Sequence, residues 1–325
     1  MNIVALAGGV GGAKLAHGLT LTPALRSLKG SGDGSEGLIV VVNTGDDFDW
    51  NGLRICPDLD TVTYTLSGLA NPDTGWGVAG DTFECLGALQ RLGLQPWFKI
   101  GDRDLATHLR RTALLSEGKT LTEATSIITR ALGIRSTLLP MTDDRFRTLV
   151  DTDRGMLEFQ DYFVRQQWQP VIQRIIFDGA DSARATPQVN AALSNADAII
   201  FCPSNPFVSI EPILALTLPP LSLIGRGVGG EGRIPIIAVS PIVGGQAIKG
   251  PAAKMFRELG VEPSALAVAQ RYHNIVTHFV LDQLDADQES AIQSLGLRTL
   301  VTDTWMKTVD DRARLASEIL AFSYQ

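Results

Sequence analysis

The sequence predicts an α/β fold: a Rossmann-like, three-layer parallel sheet with an inserted, mainly helical lobe. Short apolar runs near both ends of the chain, such as Asn2–Leu6 and Ile234–Val239, have the length of buried strands and end in turns rich in glycine, serine or proline. Between them, 57–134 carries helical periodicity. These observations predict a single α/β domain over 1–325, with its core at about 1–56 and 172–325 and a substrate lobe at about 57–171.

The chain begins with an apolar strand, a helical segment (Ala13–Leu21) and a second apolar strand (Leu38–Val42). This order implies a parallel sheet with right-handed crossovers. Similar runs predict further core elements, namely strands at Ala198–Cys202, Val276–Leu281 and Leu297–Thr302 and a closing helix at Val309–Ala321.

The predicted lobe contains four helical segments, several with Asp or Thr near their starts, as helix N-termini prefer. They are Asp58–Leu69, Asp81–Leu92, Asp102–Leu115 and Leu121–Leu132. Strand-like alternation follows over Thr148–Ile176. Two glycine-rich stretches, 30–37 and 225–232, are expected to be surface loops because they hold too few core-forming residues.

Composition and charge limit the classes to which the protein can belong. The chain has 325 residues, 45% of them hydrophobic, and a net charge of −7, which argues against a nucleic-acid-coating protein. Cys56, Cys85 and Cys202 form no CxxC pair, so a reducing compartment is expected. We find no secretory signal and no run of the ~20 apolar residues that a membrane span needs. The expected location is the cytoplasm, with no membrane partner.

A glycine-rich turn joins the first strand to the first helix and contains Gly8, Gly9, Gly11 and Gly12, with Lys14 close behind. The free N–H groups and the dipole of a helix start favour an anion, so the turn predicts a phosphate site. It is not the dinucleotide fingerprint, because Lys14 replaces the third glycine, and it lacks the Ser or Thr that follows the lysine of a Walker A loop. The alternative is a tight turn whose glycines serve packing alone.

Three acids, Asp46, Asp47 and Asp49, follow the second strand, at the sheet edge where α/β proteins bind ligands. Carboxylates in such a loop bind Mg²⁺, which often also contacts substrate phosphates. A polar loop with solvated acids is the alternative. Asp60 lies near the start of the next helix, where an acid also suits the first turn, but its nearness in sequence lets it face the same crevice.

Two further segments carry polar groups. Ser204 and Asn205 lie between two prolines after a strand and suit recognition of a base or ribose, or form only a turn. Lys99 precedes the acidic start of a helix and is a weaker candidate for a phosphate or polar substrate. The four histidines lack metal-ligand spacing and are interpreted as structural. No arrangement for acyl-transfer hydrolysis stands out.

Taken together, several segments resemble the 2-phospho-L-lactate transferase family of coenzyme F-420 biosynthesis, in order from Met1 to about Ala321. They are Gly-Gly-Val-Gly-Gly-Ala-Lys-Leu, Asn-Thr-Gly-Asp-Asp, Cys-Pro-Asp-Leu-Asp-Thr-Val, Lys-Ile-Gly-Asp-Arg-Asp-Leu-Ala-Thr-His, Leu-Pro-Met-Thr-Asp-Asp, Pro-Ser-Asn-Pro and Ser-Pro-Ile-Val-Gly-Gly. The two glycine-rich loops depart from the family and look like insertions.

The resemblance implies a reaction. The ribityl hydroxyl of 7,8-didemethyl-8-hydroxy-5-deazariboflavin attacks a guanosine diphosphate ester of lactate, or of enolpyruvate in bacterial members, and GMP leaves. It also implies Mg²⁺, a homodimer, and binding of the deazaflavin by Asp60 and Lys99. No residue distinguishes the two donors.

Position in the chain suggests the roles within that reaction. The glycine turn and Lys14 are expected to hold the diphosphate, and Ser204 with Asn205 the nucleoside. Mg²⁺ would lie on acids of the 46–49 loop or on Asp60, for which Asp46, Asp47 and Asp60 are the candidate ligands. Asp60 is also the candidate catalytic residue, because a carboxylate can orient or deprotonate the attacking hydroxyl.

Two other functions compete with this one. A related family, the gluconeogenesis factors, has a similar glycine-rich start and comprises regulatory proteins that bind sugar nucleotides, but it is expected to lack the Pro-Asp-Leu-Asp and Gly-Asp-Arg-Asp segments. A dinucleotide oxidoreductase is disfavoured by the missing third glycine and by Asn43, which stands where an acid is expected after the second strand.

Overall fold

The computed structural model describes residues 1–26, 37–217 and 234–324. The strands in chain order are β1 (Asn2–Ala7), β2 (Gly37–Val42), β3 (Phe48–Trp50), β4 (Leu53–Ile55), β5 (Thr137–Pro140), β6 (Arg147–Thr152), β7 (Gly155–Glu158), β8 (Ile172–Asp178), β9 (Ala198–Phe201), β10 (Ile236–Val239), β11 (Ile242–Val243), β12 (Gln246–Ala247), β13 (His278–Asp282) and β14 (Arg298–Thr302).

The α-helices are α1 (Gly9–Leu21), α2 (Pro23–Arg26), α3 (Pro57–Leu66), α4 (Glu84–Arg91), α5 (Asp102–Ser116), α6 (Leu121–Ala131), α7 (Pro187–Ser194), α8 (Ala252–Glu258), α9 (Ala265–Tyr272), α10 (Glu289–Gln293) and α11 (Val309–Phe322). Two π-helical turns (Asp161–Arg165 and Pro206–Ile210), a helical stretch at 211–217 and a 3₁₀ segment (Gln283–Gln288) complete the helical structure of the described residues.

Seven strands form one parallel sheet in the order β14–β13–β10–β9–β1–β2–β5. From β1 the chain goes to β2 and β5 on one side and later fills the other side through β9, β10, β13 and β14. The direction of strand order therefore reverses between β1 and β9. In open α/β sheets the carboxyl ends of strands at such a switch point form the ligand crevice.

Alternate residues of β1 pack into two different layers. Val4 and Leu6 belong to a core cluster that includes side chains of α7, α8 and α9, whereas Ile3, Ala5 and Ala7 belong to a cluster with α1, α3 and α11. Helices thus cover both faces of the sheet, as an all-parallel sheet requires. The predicted three-layer α/β fold is confirmed.

The helical segments predicted for the lobe correspond to α3, α4, α5 and α6, and the predicted alternation at 148–176 corresponds to an antiparallel sheet in the order β7–β6–β8. The structure differs from the expected lobe boundaries in two places. Strand β5 lies inside the range 57–171 yet forms an edge of the central sheet, and β8, expected in the core, pairs with β6. Both strands are short or partly exposed, so their hydrophobic pattern does not reveal their partners.

The two glycine-rich stretches fall outside the described residues, except Gly37, which begins β2. Within the described ranges, none of the helices combines the length and the apolar character that crossing a bilayer demands. The division into core and lobe otherwise remains a prediction.

Gly18 marks the close contact between α1 and α11. A Cβ at this position would overlap the carbonyl oxygen of Arg312. We therefore expect Gly18→Ala to lower the free energy of unfolding by about 1–3 kcal/mol, the usual cost of overpacking. Gly87→Ala in α4 is the matched control, because its Cβ would meet its nearest atom at 3.8 Å, and added helix propensity favours it by up to ~1 kcal/mol. Urea unfolding measures both, and a Gly18→Ala variant as stable as the parent contradicts this packing.

Candidate active site

The predicted phosphate turn and the predicted nucleoside turn meet at the switch point. Ser204, after β9, accepts a hydrogen bond at Oγ from the Gly8 N–H (3.1 Å) and donates one to the Gly8 carbonyl (2.8 Å). A Cβ on Gly11 would overlap the carbonyl of Pro203. The loops that follow β1 and β9 are therefore in direct contact at the crevice.

Part of the glycine content of the turn is explained by packing. Gly9 has φ +60°, and a Cβ on Gly8 or Gly12 would come within 2.6 Å of Asp58 Oδ2 or 2.5 Å of Ser204 Oγ. The Gly9 N–H is already used, because it donates to Asp58 Oδ1 at 2.8 Å. The predicted anion binding would therefore use the next N–H groups of the first turn, which have no acceptor within the helix.

Asp58, which sequence reasoning did not single out, is a central side chain of the site. Besides the Gly9 N–H, its carboxylate accepts a hydrogen bond from Asn43 Nδ2 (2.9 Å). Asn43 also donates to the Val208 carbonyl (3.0 Å), so β2, α3 and the segment after β9 are joined. Burial raises the pKa of Asp58 to about 6, although the bonds from Asn43 and Gly9 oppose this shift. The only feature of the sequence that pointed to Asp58 was its position as an acid in the first turn of a helix.

Asp46 and Asp47 are buried, so the alternative of a loop with solvated acids is wrong for these two residues. Asp49 is exposed and pairs with Arg54 at 3.5 Å. Burial, with Asp58 and Asp47 nearby, raises the pKa of Asp46 well above its usual range. Burial raises the pKa of Asp47 to about 7, against the attraction of Arg54.

The two buried carboxylates have free oxygens. Asp46 Oδ1 and both carboxylate oxygens of Asp47 have no hydrogen-bond partner. Arg54 Nη2 lies 3.8 Å from Asp47 Oδ2, so one cation is near, but buried carboxylate oxygens without hydrogen bonds are costly to ionise and favour binding of a further cation. Across 1–26, 37–217 and 234–324, no three His, Cys, Asp or Glu side chains form a metal-binding group by themselves. The residues nevertheless fit Mg²⁺, which is commonly bound by one or two carboxylates together with substrate phosphates.

Asp60 lies in a buried ion pair and, like Asp58, belongs to the first turn of α3. Both of its oxygens face the guanidinium of Arg111, with Nη2 bonded to Oδ1 and Nη1 3.2 Å from Oδ2. His108 Nδ1 lies 3.6 Å from Oδ2. The predicted roles of Asp60 in catalysis and in metal binding remain predictions, and either role requires the carboxylate to share its oxygens with Arg111.

The pair belongs to a buried polar network between α3 and α5. Asp104, His108 and Arg111 share one face of α5 and meet Asp60 and Tyr64 of α3. The Tyr64 hydroxyl donates to Asp104 Oδ1 at 2.6 Å, and His108 Nε2 lies 3.2 Å from the same oxygen. Burial raises the pKa of Tyr64, so its hydroxyl stays protonated. The network fixes the position of Asp60 relative to the crevice.

The remaining predicted residues, Lys99, Asn205 and Lys14, have different surroundings. Lys99 is exposed and directly follows an aromatic cluster of Phe48, Trp97 and Phe98, and within the described ranges it forms no hydrogen bond or ion pair with Asp60. Asn205 uses its side chain internally, accepting from the Phe207 N–H at 3.0 Å.

Lys14 also has an internal partner, because its Nζ donates to the Met306 carbonyl at 2.9 Å. Burial, with Arg312 and Lys249 nearby, lowers the pKa of Lys14.

Removing Arg111 tests the buried network. Arg111→Met leaves Asp60 buried without its counter-ion, and we expect a loss of about 3–5 kcal/mol in unfolding free energy. Arg110→Met is the matched control on the exposed side of α5, where the 3.7 Å pair with Glu117 is worth less than ~1 kcal/mol. Both are measured by urea unfolding, and equal stability of the two variants contradicts the role given to Arg111.

Known proteins match this chain both in sequence and in fold. A family model described as 2-phospho-L-lactate transferase CofD matches residues 3–309. A phosphoenolpyruvate transferase of Streptomyces coelicolor is 38% identical over 99% of this chain and 98% of the relative. A 2-phospho-L-lactate transferase of Methanosarcina acetivorans is 36% identical over 98% of each chain.

A solved structure from Bacillus halodurans, a member of the UPF0052 family, superposes with a TM-score of 0.60 at 13% identity and covers 98% of each chain. At this identity the likeness concerns the fold alone. The match of the family model and the full-length relatives confirm the resemblance found in the sequence. The chain belongs to the 2-phospho-L-lactate transferase family and is an enzyme of the transferase class.

Proposed function

We propose that this enzyme transfers a phospholactyl or phosphoenolpyruvyl group from a guanosine diphosphate ester to the ribityl hydroxyl of 7,8-didemethyl-8-hydroxy-5-deazariboflavin and releases GMP, in coenzyme F-420 biosynthesis. The observation that carries the proposal is the junction of the 8–12 turn with the 203–206 turn, beside the buried carboxylates of Asp46, Asp47 and Asp58. The relatives, a phosphoenolpyruvate transferase and a 2-phospho-L-lactate transferase, support the choice of transferred group.

The donor is assigned to the switch point. The open N–H groups of the first turn of α1 and the helix dipole suit its diphosphate, with Lys14 as a cation one turn further on. The turn at Ser204 and Asn205 is assigned to the nucleoside. Both side chains already have internal partners. We therefore assign the contact with the nucleoside to backbone groups of the turn and to the second acceptor lone pair of Ser204 Oγ.

Mg²⁺ is the proposed cofactor, and its candidate ligands are Asp46, Asp47 and Asp60. Asp58 joins them because its charge lies close enough to raise the pKa of Asp46. The unpartnered oxygens of Asp46 and Asp47 favour these two as the direct ligands. A bound Mg²⁺ would neutralise charge on the phosphates of the donor.

The acceptor is assigned to the side of the crevice formed by α3 and the segment before α5, with Asp60 and Lys99 as its contacts. In the transfer, the ribityl oxygen forms a bond to phosphorus as the bond to GMP breaks, and the hydroxyl proton must leave. Asp60 would orient that hydroxyl and accept its proton, and Arg111 would keep the carboxylate in place. Most of the catalysis would come from positioning and charge neutralisation.

A homodimer and a cytoplasmic location are part of the proposal and are supported by the resemblance to the family. The alternative function is a regulatory protein that binds nucleotide sugars. Titration of the protein with GDP and with a nucleotide sugar separates the two, since a transferase of this kind should bind GDP in preference.

The direct test is incubation of the protein with the deazaflavin, Mg²⁺ and either the lactate or the enolpyruvate ester of guanosine diphosphate, with mass detection of the product. We expect the deazaflavin to gain one phosphodiester-linked acid from one of the donors, with equimolar GMP. The donor that reacts also identifies the transferred group. If neither donor gives product, the proposal is wrong.

Asp60→Asn should abolish transfer and leave GDP binding intact, because the amide cannot accept the hydroxyl proton. Turnover is measured by GMP release, and GDP affinity by calorimetry on protein shown to be folded by circular dichroism. Asp49→Asn is the matched control, since Asp49 is exposed in the neighbouring hairpin and should keep normal turnover. Normal turnover in Asp60→Asn would refute the role of Asp60.

The raised pKa values predict a coupling between pH, Mg²⁺ and stability. Between about pH 4 and 7 the folded protein holds protons on Asp47 and Asp58 that the unfolded chain has released, so stability falls as pH rises. Mg²⁺ requires the ionised carboxylates, so it should stabilise the fold more at about pH 7.5 than at about pH 5.5.

Urea unfolding midpoints with and without MgCl₂ at the two pH values measure this coupling. Asp47→Asn should weaken both the pH dependence and the effect of Mg²⁺, whereas Asp49→Asn should leave them unchanged. An equal Mg²⁺ effect in the parent and Asp47→Asn would argue against a site at Asp47.

A further inference from the structure

Three cationic side chains, Lys249, Lys14 and Arg312, lie along one face of α1. Lys249 Nζ donates to the Thr74 carbonyl and lies 2.9 Å from the point that a Cβ on Gly75 would occupy. The same point is 2.9 Å from Val10 Cγ1, in the first turn of α1. Lys249 therefore lies over the start of the helix that follows the phosphate turn.

Lys14 follows Val10 by four residues, so the two share a face of α1, and helical side chains lean toward the N-terminus. Arg312 lies one turn beyond, with Nη1 3.4 Å from His17 Nδ1 and its carbonyl against Gly18. The three cations follow one another along the helix, starting at its N-terminal turn. We call this row the cationic strip.

The strip has no acidic counter-ion in the described part of the chain. None of its three members takes part in an ion pair there, although the protein has a net charge of −7 and cations such as Arg54, Arg111 and Arg271 are paired. Arg312 Nε is buried without a hydrogen-bond partner. Burial and the neighbouring cations lower the pKa of Lys14. Like charges held together in this way are unfavourable until an anion binds among them.

We propose that the cationic strip of Lys14, Lys249 and Arg312 is the binding site for the diphosphate group of a nucleoside diphosphate. The inference rests on the proposed function in one respect, namely that the nucleotide is the transferase donor. A diphosphate carries several negative charges close together, which matches successive cations along a helix better than a single phosphate does. The strip continues from the open N–H groups of α1, so the two features form one anion-binding surface.

The cationic strip and the buried acids lie on different sides of the start of α1. Asp58 caps the start of α1 from the side of α3, and the cations cover its side toward Gly75 and α11. A diphosphate on the strip would therefore lie with cations on one side and the carboxylates of Asp46 and Asp58 on the other. Mg²⁺ held by those carboxylates would then supply positive charge to the phosphates from the acidic side of the site.

Calorimetric titration with GDP, GMP and inorganic pyrophosphate tests the inference on the full chain. Lys249→Met is expected to weaken binding of GDP and pyrophosphate about ten- to a hundredfold, the range of one charge-assisted hydrogen bond, with a smaller effect on GMP. Arg312→Met should act in the same direction, and Lys249→Arg should retain most of the affinity. Lys249 is exposed, so its substitution should not unfold the protein. Lys119→Met, beyond the end of α5, is the control and should bind like the parent.

The outcomes separate the inference from the proposed function. Weaker GDP and pyrophosphate binding in Lys249→Met and Arg312→Met, with unchanged deazaflavin binding, supports the strip. If the parent binds GDP and both variants bind it equally well, the strip is refuted while the transferase proposal stands. If pyrophosphate binding depends on the strip but neither donor ester reacts, the strip is supported and the transferase proposal fails. If the parent binds neither GDP nor pyrophosphate, both are refuted.

Discussion

The carboxylate of Asp58 is the interaction on which the site depends. It accepts hydrogen bonds from the Gly9 N–H and from Asn43 Nδ2, and Asn43 in turn donates to the Val208 carbonyl. One side chain thereby connects the start of α1, the end of β2, the start of α3 and the segment after β9. The sheet brings the ends of β1, β2 and β9 side by side, and Asp58 sets how the loops beyond them are arranged.

A buried acid at a helix start also determines the electrostatics of the crevice. Burial opposes the anionic form of Asp58, whereas the hydrogen bonds from Asn43 and from the Gly9 N–H favour it, and the pKa of about 6 reflects that balance. Asp46 and Asp47 lie nearby with oxygens that lack hydrogen bonds, so the acidic side chains of the crevice are on the α3 side of α1, and their raised pKa values make ionisation dependent on a cation. Lys14 and Arg312, which form no ion pair within 1–26, 37–217 and 234–324, lie on the side of α1 toward α11. This separation within an acidic protein suits a ligand that is anionic and is bound together with a divalent cation.

The sequence was informative for features that depend on neighbouring residues within one helix or strand. Apolar runs identified the inner strands, and helical periodicity identified α3 to α6, because both patterns repeat within one element. Strand β5 was missed because four residues between helices and a second sheet carry too little periodicity. The burial of Asp46 and Asp47 could not be predicted either, since it arises from elements packed around the loop and not from the loop itself.

Within the candidate site, spacing alone could not tell Asp58 from Asp60. Both lie in the first turn of α3, and their different environments depend on partners far away in the chain: Gly9 for Asp58 and Arg111, 51 residues later, for Asp60. The same holds for Lys249, whose contact with Thr74 spans 175 residues. Sequence reasoning found the segments that form the crevice, and tertiary contacts decided which side chain of each segment faces which partner.

The central claim is that the switch point between β1 and β9 is the nucleotide site. A crystal structure of the protein soaked with GDP and Mg²⁺ tests it most directly. We predict diphosphate density between the 8–12 turn and the side chains of Lys14 and Lys249, with the metal density on the side of Asp46 and Asp47. Ordered GDP bound elsewhere, for example in the cavity of about 460 Å³ beside Trp168 and Lys254, with an empty switch point, would contradict the account.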